Sequence, residues 1–175
     1  RAPATNYSTA PQPPTAPQPQ TAPLPTATHF TLPVSPSTMP PAHHVGFTVS
    51  DLDRAVDFYT DVFDLPVLAE FSVSGEEFAT GVDVPGATGD FAHLDADGIR
   101  LELVEYDPEG DAAHADRVNQ PGAKHLGLEV ENLDDFYRAL PEQVATLSEP
   151  QTTESGTRIC FVQDPEGNLV EVLET

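Results

Sequence analysis

The stretch HHVGFTVSDLDRAVDFY, residues 43–59, is echoed by KHLGLEVENLDDFY, residues 124–137. Each copy sets a histidine two residues before a glycine, alternates apolar side chains, and passes through Asp or Asn into Leu-Asp. The echo returns at the far end of each copy. GIRLELVE at 98–105 and GNLVEVLE at 167–174 share an opening glycine, an apolar-Glu-apolar centre and a closing glutamate. Matching hydrophobic periods impose matching elements, so the chain is constrained to fold as two copies of one supersecondary unit.

In the first copy Leu52, Ala55, Val56, Tyr59, Val62 and Phe63 fall on one helix face, which Ser50 or Asp51 can cap and Pro66 ends. In the second, Leu133, Phe136, Tyr137 and Leu140 repeat the spacing, with Asn132 as cap and Pro141 as stop. Strands are predicted at 67–73, 90–96 and 99–106, with an irregular or briefly helical segment between the first two. The second half offers 145–153, broken by Pro150, then 157–163 and 168–174, with DPEG at 164–167 as the last hairpin turn. Each half reads strand-helix-strand-strand-strand. The expected fold class is α+β: two fused βαβββ modules, about 42–106 and 122–175, forming a shared concave sheet.

Side chains alternate across a strand, so His44, Gly46 and Thr48 share one face, and His125, Gly127 and Glu129 share another. Glu102 and Glu171 likewise stand on the face opposite their apolar neighbours. A strand histidine or glutamate alone is most simply a solvated side chain. Duplication changes this, because two imidazoles and two carboxylates on matching strands can meet if the sheets share a concave surface. Such a set suits a borderline divalent ion (Ni, Zn, Co, Fe or Mn) and leaves positions open for substrate.

Composition divides the chain. Residues 1–38 hold 10 of the 19 prolines and no Asp, Glu or Lys, and read as a disordered Pro-rich tail. Met39, the only methionine, stands at the change, and the expectation is that it is the natural start and that the preceding segment is an upstream extension or a fusion linker. Peptide mapping of the native protein tests this; abundant tail peptides would dispose of it. All 29 acidic side chains follow, against six of the seven basic ones. That charge repels nucleic-acid phosphates and anionic membranes. It also fits adaptation to high salt, where carboxylate repulsion is screened within less than the ~8 Å of physiological ionic strength. The expected result is a melting temperature that climbs with salt, and a flat one would contradict the reading. A single cysteine, Cys160, allows no internal disulfide, and with no apolar run of bilayer length a cytoplasmic location is expected.

The quoted stretches, with LELVEY and FVQDPEGNLVEVLE, make residues 42–175 resemble the vicinal-oxygen-chelate superfamily, which includes glyoxalases, bleomycin-resistance proteins and extradiol dioxygenases. The resemblance implies a metal held between paired modules. By likeness to glyoxalase I, it implies His44, Glu102, His125 and Glu171 as the ligands. It implies lyase or isomerase chemistry: proton transfer through a metal-stabilised enediolate on a small chelating carbonyl substrate. Glu171 is then the base, with Glu102 as its mirror partner. A low-molecular-weight thiol is the co-substrate that glyoxalase I implies. Arg117, Asn119 and Lys124 are the polar candidates for holding an anionic substrate, the alternative being that the two cations pair with surrounding acids.

Related epimerases commonly carry Gln at the second ligand position, and extradiol dioxygenases use iron with two His and one carboxylate. Antibiotic-binding or thiol-transferring resistance proteins share the fold. The resemblance allows modules to pair within one chain or across a homodimer. The insertion at 76–90 reads as a surface loop or a lid, and His29, His43, His93 and His114 receive no chemical role.

Overall fold

The computed structural model describes residues 40–111 and 117–175, which belong to one unit, Pro40–Thr175. The first module comprises β1 (His44–Thr48), α1 (Leu52–Phe63), β2 (Val67–Val73), α2 (Glu76–Gly81), β3 (Thr88–Asp95) and β4 (Arg100–Asp107). The second comprises β5 (His125–Glu129), α3 (Leu133–Ala139), β6 (Gln151–Thr152), β7 (Arg158–Gln163) and β8 (Leu169–Glu174). Strand 145–153 is shorter than its sequence suggests. Only Gln151 and Thr152 pair there, beside one isolated bridge from Thr146 to Val162, since Pro150 has no N–H to donate.

Each module makes its own four-stranded sheet, in the orders β1-β4-β3-β2 and β5-β8-β7-β6. β1 lies parallel to β4 and β5 parallel to β8, as the intervening helices require. The expected shared concave sheet is corrected here: no strand of one module pairs with a strand of the other among the described residues. The physical reason lies in which surfaces are apolar. The helix-bearing faces of both sheets are apolar and bury a common core, so the modules join through them and not through strand edges. Phe47, Leu101, Leu103, Leu126, Val170 and Val172 belong to one core with Tyr59 of α1 and Leu133 of α3. Phe63 of α1 stacks on Phe136 of α3 at 5.7 Å.

The repeat fixes the helix starts. Asp51 and Asn132 accept hydrogen bonds from the N–H of Arg54 and Asp135, while the glutamates that close the two echoed strands take the next orphan donors. Glu105 accepts from the N–H of Leu52 and Glu174 from that of Leu133, both at 2.8 Å. Each cap contributes about 1 kcal/mol. Thus the recurring terminal Glu is explained by helix capping within its own module.

DPEG does more than turn a hairpin. Asp164, buried, accepts from the N–H groups of Glu166 and Asn168, from the Asn168 side chain, and from the Tyr59 hydroxyl at 3.0 Å. Burial, reinforced by the Asp164 carboxylate, pushes the Tyr59 phenol far above its usual range, so it stays a donor. Beside it Ser50 and Arg54 of the first module hold Glu166. Burial raises that carboxyl, but the hydrogen bonds outweigh it and the net shift is downward. The turn of one module is thereby fastened to the helix of the other. No helix among the described residues is long and apolar enough to cross a membrane.

Candidate functional site

Within each sheet the parallel register sets Gly46 beside Glu102 and Gly127 beside Glu171, with the histidine two residues earlier on the same face. His44 Nε2 lies 3.5 Å from Glu102 Oε1, and His125 Nε2 lies 3.2 Å from Glu171 Oε2. Both histidines are exposed, whereas Phe47 and Leu126, on the helix-facing side of the same strands, are buried. Two ligands at adjacent positions of an octahedral ion, with bonds near 2.1 Å, stand about 3 Å apart. The donor type and spacing of each pair therefore fit a shared divalent ion. Among the described residues no group of three or more His, Cys, Asp or Glu converges on one ion position, so the structure forms the expected pairs without joining them.

The glycines leave space. A Cβ on Gly46 would meet Glu102 Oε1 at 3.6 Å, ordinary contact, and one on Gly127 would meet only a Leu173 methyl at 3.8 Å. A third imidazole stands where sequence reading assigned no role. His93 on β3 pairs across the hairpin with Glu102 and donates from Nε2 to Glu102 Oε2 at 2.7 Å. It is turned to the oxygen that His44 does not face. Counting the register across the β3–β4 hairpin was the signal that could have found it. His43 points elsewhere, to His44 Nδ1 at 2.8 Å and to the Arg100 guanidinium at 2.9 Å.

Beyond His93 the same face is aromatic. Phe71 stacks on Phe91 at 5.2 Å and meets His93 edge-on at 5.1 Å, while Phe78 of α2 packs against Phe91 and Tyr106. The insertion thus covers part of this face rather than forming a bare loop. Gly89 permits the approach, since a Cβ there would lie 2.8 Å from the Phe91 ring. In the second module Phe161 faces Glu171 and meets His125 edge-on at 5.5 Å.

Arg117, Asn119 and Lys124 are exposed in the turn leading to β5. The Arg117 N–H binds the Gln120 side chain, and Lys124 Nζ donates to the Gly122 carbonyl. Neither cation forms an ion pair among the described residues. Cys160 is buried, and burial raises its thiol pKa, which suits a core residue. His114 and the Pro-rich tail, including His29, lie outside the described residues.

With two βαβββ modules, each carrying a His–Glu pair on its open face, the chain belongs to the Glyoxalase/Bleomycin resistance protein/Dioxygenase superfamily, whose family model matches residues 42–172. It is 31% identical over 142 residues to a 2-epi-5-epi-valiolone epimerase from Actinomyces sp, covering 75% of this chain and 77% of that one. Among solved structures, a glyoxalase family protein from Bacillus cereus superposes with a TM-score of 0.72 at 23% identity, over 81% of this chain and 97% of that one. The trypanothione-dependent glyoxalase I of Leishmania major gives 0.57 at 24% identity, over 78% and 87%. These two likenesses carry the fold alone.

Proposed function

We propose that the protein is a metal-dependent isomerase or lyase of the glyoxalase type, moving a proton at a carbon beside a carbonyl in a small substrate with adjacent oxygens. The observation that carries this reading is the matched pair of His–Glu couples, at 3.5 and 3.2 Å, on the open faces of the two modules. His44, Glu102, His125 and Glu171 would hold one divalent ion of the Ni, Zn, Co, Fe or Mn type. Since each couple sits on its own sheet, we propose that a second copy of the chain completes the site. His44 and Glu102 of one copy would then face His125 and Glu171 of the other, giving two sites per homodimer.

A bound ion supplies a Lewis acid for the substrate oxygens. The histidines orient that substrate by fixing two corners of the site. Glu171 takes the proton from carbon, the C–H electron pair passes toward the neighbouring carbonyl, and the same carboxyl returns the proton to the adjacent carbon while the substrate's hydroxyl proton passes to the former carbonyl oxygen. The aromatic side chains beside Glu102, namely Phe71, Phe91 and Tyr106, would exclude water from the apolar part of the substrate. A thiol co-substrate and contacts from Arg117, Asn119 or Lys124 remain part of the proposal. So do salt adaptation and a cytoplasmic setting.

A second reading is favoured by the relative at 31% identity, whose name makes it an epimerase of 2-epi-5-epi-valiolone. An epimerase would return the proton to the opposite side of the same carbon. Both readings require exchange of that proton with solvent or with a protein carboxyl. In deuterated water, the metal-loaded protein should remove the α-proton signal of a chelating hydroxy ketone, or of methylglyoxal with a thiol, from its original carbon, with the proton reappearing on the neighbouring carbon or being replaced by deuterium. Appearance of a new constitutional isomer supports the first reading and inversion at one carbon the second. Metal-loaded protein that leaves every such proton in place would overturn both.

A further inference from the structure

The two halves of the site are near-copies, yet they differ in what stands opposite each glutamate. Across its hairpin Glu102 faces His93, whereas Glu171 faces Phe161. His93 is well fixed: its side chain is 13% exposed, against 39% for His44 and 45% for His125. It meets Phe71 edge-on at 5.1 Å and stacks with the His44 ring at 6.4 Å. Its Nε2 is 2.7 Å from Glu102 Oε2, leaving Oε1 as the oxygen toward His44. The Phe161 side chain has no N–H to offer, so Glu171 receives no such bond from the matching position.

Resting on the metal-centre reading above, we infer that His93 is a positioning residue. It occupies Glu102 Oε2, presents Oε1 as the single donor beside His44, and so makes Glu102 a fixed ligand while Glu171 is the carboxylate with freedom to move a proton. A carboxylate held at one oxygen cannot swing between one-oxygen and two-oxygen binding, nor turn away to collect a proton. A carboxylate backed by a phenyl ring can do both. The near-symmetry of the fold would otherwise give the two acids the same role, and the His–Phe difference separates them. Hydrogen bonds that orient ligands in this way are worth about 10–100-fold in metal affinity.

The test uses the full chain and Co²⁺ as probe, with affinity measured by chelator competition and coordination by visible absorption. His93→Phe copies the second module, and His93→Gln keeps an N–H donor. Loss of about 10–100-fold in affinity with a changed cobalt spectrum is expected for His93→Phe. Return to within about threefold of wild type is expected for His93→Gln. Metal-free melting curves check the fold, and His93→Leu serves as the donor-less variant if Phe is not accommodated. A donor-less variant that binds Co²⁺ with wild-type affinity and spectrum would overturn the inference. So would a folded His93→Gln as weak as His93→Phe, because the imidazole would then act by something other than its N–H. Wild-type protein that binds no Co²⁺ would instead bring down the metal-centre reading itself, and this inference with it.

Discussion

Glu171→Gln is expected to lower turnover by about 10²–10⁴-fold, the usual contribution of a positioned general base, with the protein still folded. The substitution removes one negative charge and little volume. Its site tolerates the change, because Glu171 is a half-exposed residue on the open sheet face, with the His125 imidazole 3.2 Å away. Leu169, Val170 and Val172 around it keep their places in the core. Glu102→Gln, measured at saturating metal, should cost only about tenfold, since a fixed ligand acts through geometry and affinity rather than through a proton. Steady-state rates for both variants, at a metal concentration that fills the site, check the contrast. Unaltered turnover in folded Glu171→Gln would remove it as the base.

The parts of the molecule that follow from local chemistry were legible in the residues. Period-3.6 apolar spacing marked α1 and α3, Asn132 marked its own cap, and alternation put His44 and Glu102 on one side of their sheet and Leu101 and Leu103 on the other. The same alternation placed His125 and Glu171 together. What alternation does not encode is how two finished modules meet. The helix-bearing faces are apolar in both, and they found each other through Phe63, Phe136, Tyr59 and Asp164, leaving the strands of the two sheets unpaired.

His93 escaped for a different reason. Between Asp95 and Arg100, which close the first hairpin, lie residues 96–99; between Gln163 and Leu169 lie residues 164–168, one more. Aligning the two copies on their glycines therefore sets His93 against Val162, a buried residue, whereas the register sets it against Phe161. Asp97 and Gly98, both at positive φ, tighten the first turn and bring His93 opposite Glu102. A one-residue difference in turn length was enough to hide a hydrogen bond to a proposed ligand.

The second large effect concerns assembly. His44→Ala and His125→Ala should each abolish tight metal binding alone, since every site then loses an imidazole. Co-expressed in equal amounts with separate tags, the two variants form mixed dimers with one site that lacks both histidines and one site that is whole. Random pairing gives half mixed dimers, hence about one quarter of the wild-type metal per chain. The open faces that carry His44 and His125 must meet across the partner for this to happen, and the exposed apolar residues Val67, Leu68 and Phe71 of β2 lie on the edge strand of one such sheet. Metal analysis of the doubly tagged, purified mixed dimer is the most direct test of the proposal that the two His–Glu couples share one ion. The prediction is one tightly held ion per mixed dimer against two per wild-type dimer. A mixed dimer with no ion, or a wild-type monomer that holds one with full affinity, would contradict it.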